Sequence, residues 1–522
     1  MKKRVYSLLL AMLMVVSACC ISGCKKSGKD SFTYWCKMNP SVATNAKSYN
    51  EIAAYKALEE KTGVHIEFSH PPIGTETEQF KLLFVANDMP DFIEYGWSNY
   101  TGGPQQAIDD GMILDISEYL EYAPNLKAAI EGDSELAKEW KKATVLESGA
   151  IYGFPTLNVG DYRTFCGITV RKDWLDELGL EVPETIDEWT TVLRAFKEKK
   201  GAKAPMTGDL TWLLNAGSST VAGAFGIGNR FYVEDGKVKY GPLQDEYKEF
   251  LETLRLWYSE GLLDKDIATN KNTLIDNKML SGESGALLYT AIGGGIGKYM
   301  RQKASEDPSY NLVAAPYPVK NKGEINKFPI VDADVNTSAV VAISASCEDP
   351  VAAVKWLDNW YSEEGYYLMN FGVEGVSYEM VDGKPVYTDL ILNNPDGLSI
   401  SEALSLNCRA TAPAPGFQQA PEYLEQYYEY QQQKDALKLW SENVSEVKQY
   451  KLPNTWKSAK DTSRISEIQA DLDTYIQETL WKFVIGEKSL NEFDEFRNTL
   501  KTKFHIEEYI EIEQKYYDSY NK

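Results

Sequence analysis

Gly167-Ile168-Thr169-Val170-Arg171-Lys172-Asp173-Trp174-Leu175-Asp176-Glu177-Leu178-Gly179-Leu180 reads as a strand, a short helix and a helix stop in immediate succession. Gly167 to Val170 is a short strand-like run with β-branched residues. Asp173 to Leu178 follows helical spacing and closes on Gly179, the residue type that takes the left-handed turn after a helix without steric cost. Downstream, Thr185-Ile186-Asp187-Glu188 is a capping box, and Trp189, Val192, Leu193 and Phe196 fall on one face of the helix it opens. Upstream, Ile151-Tyr152-Gly153-Phe154-Pro155 is a second strand-like segment, and the two flank a loop that holds Tyr162 and Arg163. Strands alternating with helices in this way predict an α/β fold.

The same alternation runs through the N-terminal part. Phe32 to Trp35 reads as a strand, a helix follows through Ala53, Ala57 and Leu58 to Gly63, and Val64, Ile66 and Phe68 alternate with polar residues. Phe80 to Ala86 and then Asp91 to Tyr95 continue it. Later, Phe250, Leu251, Leu254 and Trp257 form one amphipathic helix ending at Gly261. Asp349-Pro350 opens another, with Ala353, Trp356, Leu357 and Trp360 as its buried stripe. Beyond Pro413-Ala414-Pro415-Gly416 the chain reads as mainly helical, and Leu490, Phe493, Phe496, Leu500 and Phe504 mark its last amphipathic stretch.

The first residues carry an address. Lys2, Lys3 and Arg4 precede an almost uncharged run from Val5 to Ile21, too short for a stable membrane span and fitting a secretory signal. It ends in Ile21-Ser22-Gly23-Cys24, which resembles a bacterial lipoprotein box. That resemblance implies a signal peptide over residues 1–23, acylation of Cys24 with palmitate-type chains, and a lipidated tether over 24–30. The mature chain is then extracytoplasmic and held at the cell membrane by its lipid.

Composition narrows the partners. The chain has 522 residues, 43% hydrophobic and 25% charged, with a net charge of −23, so a nucleic acid is not an expected partner. Of seven cysteines, Cys36, Cys166, Cys347 and Cys408 remain once the signal and the acylated residue are set aside. They show no CxxC spacing and read as buried free thiols. With three histidines in all, neither a metal site nor a catalytic triad is expected, and no cofactor is called for. Asp332-Ala333-Asp334-Val335-Asn336 begins like a calcium loop, but Thr337 and Ile343 stand where Gly and Glu are needed. Gly293 to Lys298 lacks the Ser/Thr of a phosphate loop and reads as a flexible loop.

Around the opening stretch, Pro183-Glu184-Thr185 and Glu188-Trp189 complete a pattern that resembles the large LplA-like branch of the extracellular solute-binding proteins, family 1, the lipoprotein capture subunits of ABC sugar importers. Asn87 to Asp91, Gly149 to Pro155, Cys347 to Tyr361, Tyr367 to Tyr378 and Phe483 to Tyr517 agree in order. The resemblance implies a two-lobe periplasmic-binding-protein-like fold with an interlobe ligand cleft and a helical C-terminal region. Lobe 1 is expected over 31–157 and a return at 331–372; lobe 2 over 158–330, with its own return and the helical region over 373–522. In one place the chain departs from its relatives: Lys199-Lys200-Gly201-Ala202-Lys203 stands where many carry an acidic calcium loop, so no calcium is expected there.

The resemblance implies an oligosaccharide ligand, delivered to permease subunits by a monomeric, non-enzymatic receptor. Pyranose rings pack C–H faces on aromatic rings and need polar groups at their edges. The 12 Trp, 33 Tyr and 18 Phe supply such rings, and the expected ligand contacts are Trp35, Trp97 with Ser98, Tyr162 with Arg163, Trp212 with Asp209, and Tyr289. Asp332 and Glu374 join them because their segments resemble cleft-facing returns of the family. Trp174, Trp189, Trp257, Trp356 and Trp360 sit on helix stripes and are assigned to the core. Two other readings stay open: a surface glycoside-degrading lipoprotein using a carboxylate pair, and a binder of a non-sugar solute such as a peptide.

Overall fold

Cys166–Arg171 is a strand and Lys172–Leu178 a helix closed by Gly179 at φ 65°, followed by the helix Ile186–Lys199 with both halves of its capping box made. The computed structural model describes residues 31–86, 89–160, 164–214, 219–331 and 334–521. Within them two main sheets form. Their strands, in chain order, are β1 (Ser31–Cys36), β2 (His65–Ser69), β3 (Phe92–Tyr95), β4 (Phe154–Asn158), β5 (Cys166–Arg171), β6 (Met206–Thr207), β7 (Ala286–Ala291), β8 (Leu312–Ala314), β9 (Val335–Ile343) and β10 (Gly416–Gln418).

Lobe 1 is built on a six-stranded sheet in the order β10-β4-β9-β3-β1-β2. β1 runs parallel to β2 and β3, β9 antiparallel to β3 and β4. Alternation sorts its side chains between two cores. Phe32, Tyr34, Phe92, Val341 and Ile343 face one, with Trp356 and Trp360; Trp35, Ile93, Val340 and Ala342 face the other. Lobe 2 carries a four-stranded sheet in the order β8-β5-β7-β6. One core there gathers Trp189, Phe196, Leu254 and Trp257 with residues of the long helix Ala459–Ile485 and of Phe493–Thr502. A further core places Leu287 and Leu312 against residues drawn from 371–440.

Gly167 in the opening stretch has a packing reason. A Cβ there would come within 2.3 Å of the Trp440 indole, so only glycine lets that ring lie on β5. Trp174 and the other four helix-stripe tryptophans are buried, as their spacing implies.

The expected lobe boundaries need one correction. The lobe 1 return does not stop at residue 372, because β10 pairs with β4 in the lobe 1 sheet and Arg409 forms a buried ion pair with Glu94 of β3 at 2.9 Å. The chain between residue 372 and β10 forms a separate hairpin, Tyr378–Val381 with Lys384–Tyr387, outside the lobe 1 sheet. The amphipathic stretch through Leu490 and Phe504 holds the helix Phe493–Thr502, and a further helix, Ile506–Tyr520, follows it after His505 at φ 50°. Gly293 to Lys298, expected as a loop, is a π-helical turn, Ile292–Gly297, that runs into the helix Lys298–Lys303.

Candidate functional site

The geometry of the crossings locates the cleft. β4 leaves lobe 1 at Asn158 and β5 enters lobe 2 at Cys166, whose partner in the sheet is Ala291, the last residue of β7. The C-terminal end of β7 therefore lies at the hinge side of lobe 2. In lobe 1, Tyr95 at the end of β3 pairs with Val340 of β9, which continues to Val335 beside Leu157. The end of β3 faces the same way.

At the lobe 2 edge stand Asp209, Trp212 and Tyr289. β6 ends at Thr207; Asp209 Oδ1 then accepts the Thr211 N–H at 2.6 Å and starts the short helix Leu210–Leu214. Leu210, Leu213 and Leu214 are buried, which turns Trp212 outward. Its ring stacks on Tyr289 with centroids 3.7 Å apart and planes 12° from parallel, and both rings are half-buried. The Cys166 thiol donates to the Tyr289 hydroxyl at 3.2 Å, and Tyr317 donates to the Cys166 carbonyl at 2.5 Å.

A cavity of about 710 Å³ lies between lobe 1 and the C-terminal helices. Ser98 and Thr337 line it from lobe 1; the segment 448–457 and Tyr517 line it from the other side. Its charges are largely matched within the protein: Lys448 pairs with Asp334, Lys457 with Glu513 at 3.1 Å, and Lys142 with Glu139 at 3.4 Å. Trp456 meets Tyr152 edge-on at 5.3 Å, anchoring the 448–457 segment against lobe 1.

The expected ligand contacts thus separate into groups. Trp212 and Tyr289 stack, Asp209 starts the helix that carries Trp212, and exposed Ser98 sits on the cavity. Trp97 does not present its ring: it is 0% exposed, its indole N–H donates to the Val340 carbonyl at 3.1 Å, and Phe80 and Phe84 pack around it. Trp35 is 6% exposed and packs on Phe80 and Tyr95. Both rings were drawn inward because their strand or turn position faces the second lobe 1 core. Glu374 is exposed on a turn that bridges to Tyr378, in front of the hairpin. Tyr162, Arg163, Asp332 and the lipidation residue Cys24 lie outside the described residues.

Sequence reasoning missed Tyr95, whose hydroxyl meets Thr77 at 2.8 Å at the lobe 1 edge, and the 448–457 segment. Tyr95 closes a strand whose pattern gives no reason to single it out. The other segment has no periodicity at all. Of the four cysteines, Cys36, Cys347 and Cys408 are buried, whereas Cys166 is half-buried beside the stack. Lys200 and Lys203 pair with Glu177 at 2.5 Å and Glu283 at 3.0 Å. Among the described residues no cluster of three or more His, Cys, Asp or Glu is placed to hold a metal, and no helix is long and apolar enough to cross a membrane.

Residues 39–367 match the family model for bacterial extracellular solute-binding protein. Lipoprotein LipO of Bacillus subtilis is 28% identical over 417 residues, 78% of this chain and 79% of LipO. The fructooligosaccharide ABC transporter substrate-binding protein FusA of Streptococcus pneumoniae is 24% identical over 516 residues, 92% of this chain and 90% of FusA. Among solved structures, an extracellular solute-binding protein from Bifidobacterium longum subsp. infantis superposes with a TM-score of 0.74 at 20% identity, covering 95% of this chain and 100% of that one. FusA in complex with kestose gives 0.69 at 21% identity, covering 94% and 99%. These solved structures share the two-lobe fold with this chain.

Proposed function

This chain belongs to the bacterial extracellular solute-binding proteins, and from that membership we propose that it captures an oligosaccharide between its lobes and delivers it to the permease subunits of an ABC transporter. It acts as a monomer held outside the cell by a lipid on Cys24, and it performs no covalent chemistry on its ligand. The observation that carries this reading is the Trp212–Tyr289 stack, half-buried at the hinge-side edge of lobe 2 with Asp209 beside it. Flat rings of this kind suit the C–H faces of a sugar, and a carboxylate suits its hydroxyls. Relatives agree in ligand class: FusA is named for fructooligosaccharide, and MelE of Bacillus subtilis, 23% identical over 336 residues, for melibiose, raffinose and stachyose.

Binding drives function through a difference in affinity between states. A sugar touching both lobes favours the closed arrangement, and that arrangement is what a permease distinguishes from the empty receptor.

The test is a glycan array followed by thermal melts on residues 25–522. A sugar at about a hundred times its dissociation constant should stabilise the protein by about 2.7 kcal/mol. A flat melting curve across neutral and acidic oligosaccharides, with no array signal, overturns the reading. For the anchor, Cys24→Ala should abolish labelling by an alkyne palmitate and release the protein from the membrane fraction; retention of both label and membrane position would refute it.

A further inference from the structure

The aromatic bed of lobe 2 is suspended from a buried polar network. Residues 206–210 hang on residues 262–270 by main-chain bonds: Met206 N–H to Leu262 O at 3.0 Å, Asp264 N–H to Met206 O at 2.9 Å, and Leu210 N–H to Ile267 O at 3.1 Å. Side chains finish the suspension. Asn270 Nδ2 donates to the Gly208 carbonyl at 2.9 Å and to Asp264 Oδ2 at 2.8 Å; Thr207 Oγ1 donates to the same carboxylate oxygen at 2.6 Å. Lys278, from the helix Asn272–Ser281, donates to Asp264 Oδ2 at 2.7 Å and to Asn270 Oδ1 at 3.2 Å, with Asp266 on its outer side at 3.1 Å. Thr207, Asp264 and Asn270 are all buried.

The place this network grips is informative. Gly208 joins β6 to Asp209, and a Cβ on it would lie 3.0 Å from the Leu288 side chain, so the turn is pressed onto the strand that carries Tyr289. Gripping the Gly208 carbonyl from behind therefore fixes both the start of the Trp212 helix and its distance from Tyr289. A buried lysine–carboxylate pair contributes little net stability compared with apolar packing, but a fully bonded one sets geometry closely.

We infer that Asp264, Asn270 and Lys278 are positioning residues for ligand binding: they hold the Gly208–Asp209 turn so that Trp212 lies parallel on Tyr289. This rests on the reading of that stack as the ligand bed. None of the three touches ligand; they act through Trp212.

Two measurements on Asn270→Ala test the role, with Thr207→Val as a second variant should the first fold poorly. In ligand-free protein, acrylamide quenching of Trp212, taken as the difference between each protein and its Trp212→Phe derivative, should rise in Asn270→Ala while the melting temperature stays within a few degrees. Unchanged shielding of Trp212 overturns the positioning role. Calorimetric titration with kestose, raffinose and stachyose supplies the second readout. Against whichever of these binds, Asn270→Ala should lose on the order of tenfold in affinity, and the Asn270→Ala/Trp212→Ala double variant should bind no worse than Trp212→Ala. Additive losses would mean that Asn270 acts elsewhere. If Trp212→Ala binds like the wild type, it is the ligand-bed reading that fails, and the positioning role falls with it.

Discussion

Lobe 1 and lobe 2 both concentrate aromatic rings near charged groups, yet they use them in opposite ways. In lobe 1, Tyr34, Tyr49 and Tyr55 close around the Glu94–Arg409 pair: Tyr34 donates to Glu94 at 2.7 Å, Arg409 donates to the Tyr55 hydroxyl at 2.7 Å, and its guanidinium lies 4.3 Å from the Tyr49 ring centre. Everything there is sealed. Burial pushes the Tyr49 hydroxyl up to about 12 and the Cys36 thiol well above its ordinary value. Desolvation works against the Arg409 charge, but Glu94 together with Tyr49, Tyr55 and Cys36 outweighs it and holds the guanidinium well above its ordinary value. In lobe 2, Trp212 and Tyr289 remain half-buried beside Asp209. Aromatic abundance alone does not mark a binding surface; what separates the two clusters is whether the ring faces are already satisfied by protein.

The comparison can be broken most forcefully at Arg409. With both partners of its ion pair at most 2% exposed, Arg409→Ala strands a buried carboxylate and should cost about 3–5 kcal/mol, read as a drop in the urea midpoint. Pairing Arg409→Met with Glu94→Leu should recover most of that loss, because no charge is then left without its partner. Sugar affinity of the protein that remains folded should not change.

Trp212→Ala should do the reverse. Its ring is a half-exposed anchor, so calorimetry should show affinity lost by about 1.4–3 kcal/mol while the melting temperature hardly moves. Trp97→Phe sharpens the contrast inside lobe 1. Losing the indole N–H leaves the Val340 carbonyl without that donor and should cost about 1–2 kcal/mol of stability, with sugar affinity unaltered. An affinity loss in Trp97→Phe at full stability would place that ring in the site after all.

The smallest effect concerns pH. Burial raises the Asp264 carboxyl, but donors from Lys278, Thr207 and Asn270 outweigh it and leave the group below its ordinary value. A carboxyl lowered in the folded state stabilises above its unfolded pKa of about 3.9 and loses that contribution as the pH falls through the lower folded value. Melting temperatures between pH 6 and 3 should therefore fall less steeply in Asp264→Asn than in the wild type.

Much of the architecture was legible in the chain. Thr185 with Glu188, Asp349 with Pro350, and the stripes through Trp189, Trp257 and Trp356 depend on neighbours within a few residues, and each became the helix its pattern describes. Of the lobe 1 strands, β2 was equally plain, since it alternates exposed and buried residues throughout, whereas β9 and β10 carried no pattern that marked them as strands. The candidate site was legible only in part. Asp209, Trp212 and Tyr289 were picked out as rings and a carboxylate near element ends; the two rings stack, and Asp209 starts the helix that carries Trp212. Trp35 and Trp97 satisfied the same description and went to the core, because residue type and loop position are the same for a ring that caps a cleft and one that plugs a sheet.

Local patterning thus decided where helices start and stop, which tryptophans lie on buried stripes, and that the fold alternates strands with helices. Those features are set by backbone hydrogen bonding and by a periodicity that repeats within one element. Only the tertiary structure decided that Arg409 closes on Glu94, that β10 returns to lobe 1 beyond residue 372, and that Trp212 lies flat on Tyr289 rather than inside a core. Each of these joins residues distant in the chain, so each depends on how whole elements pack rather than on any pattern within them.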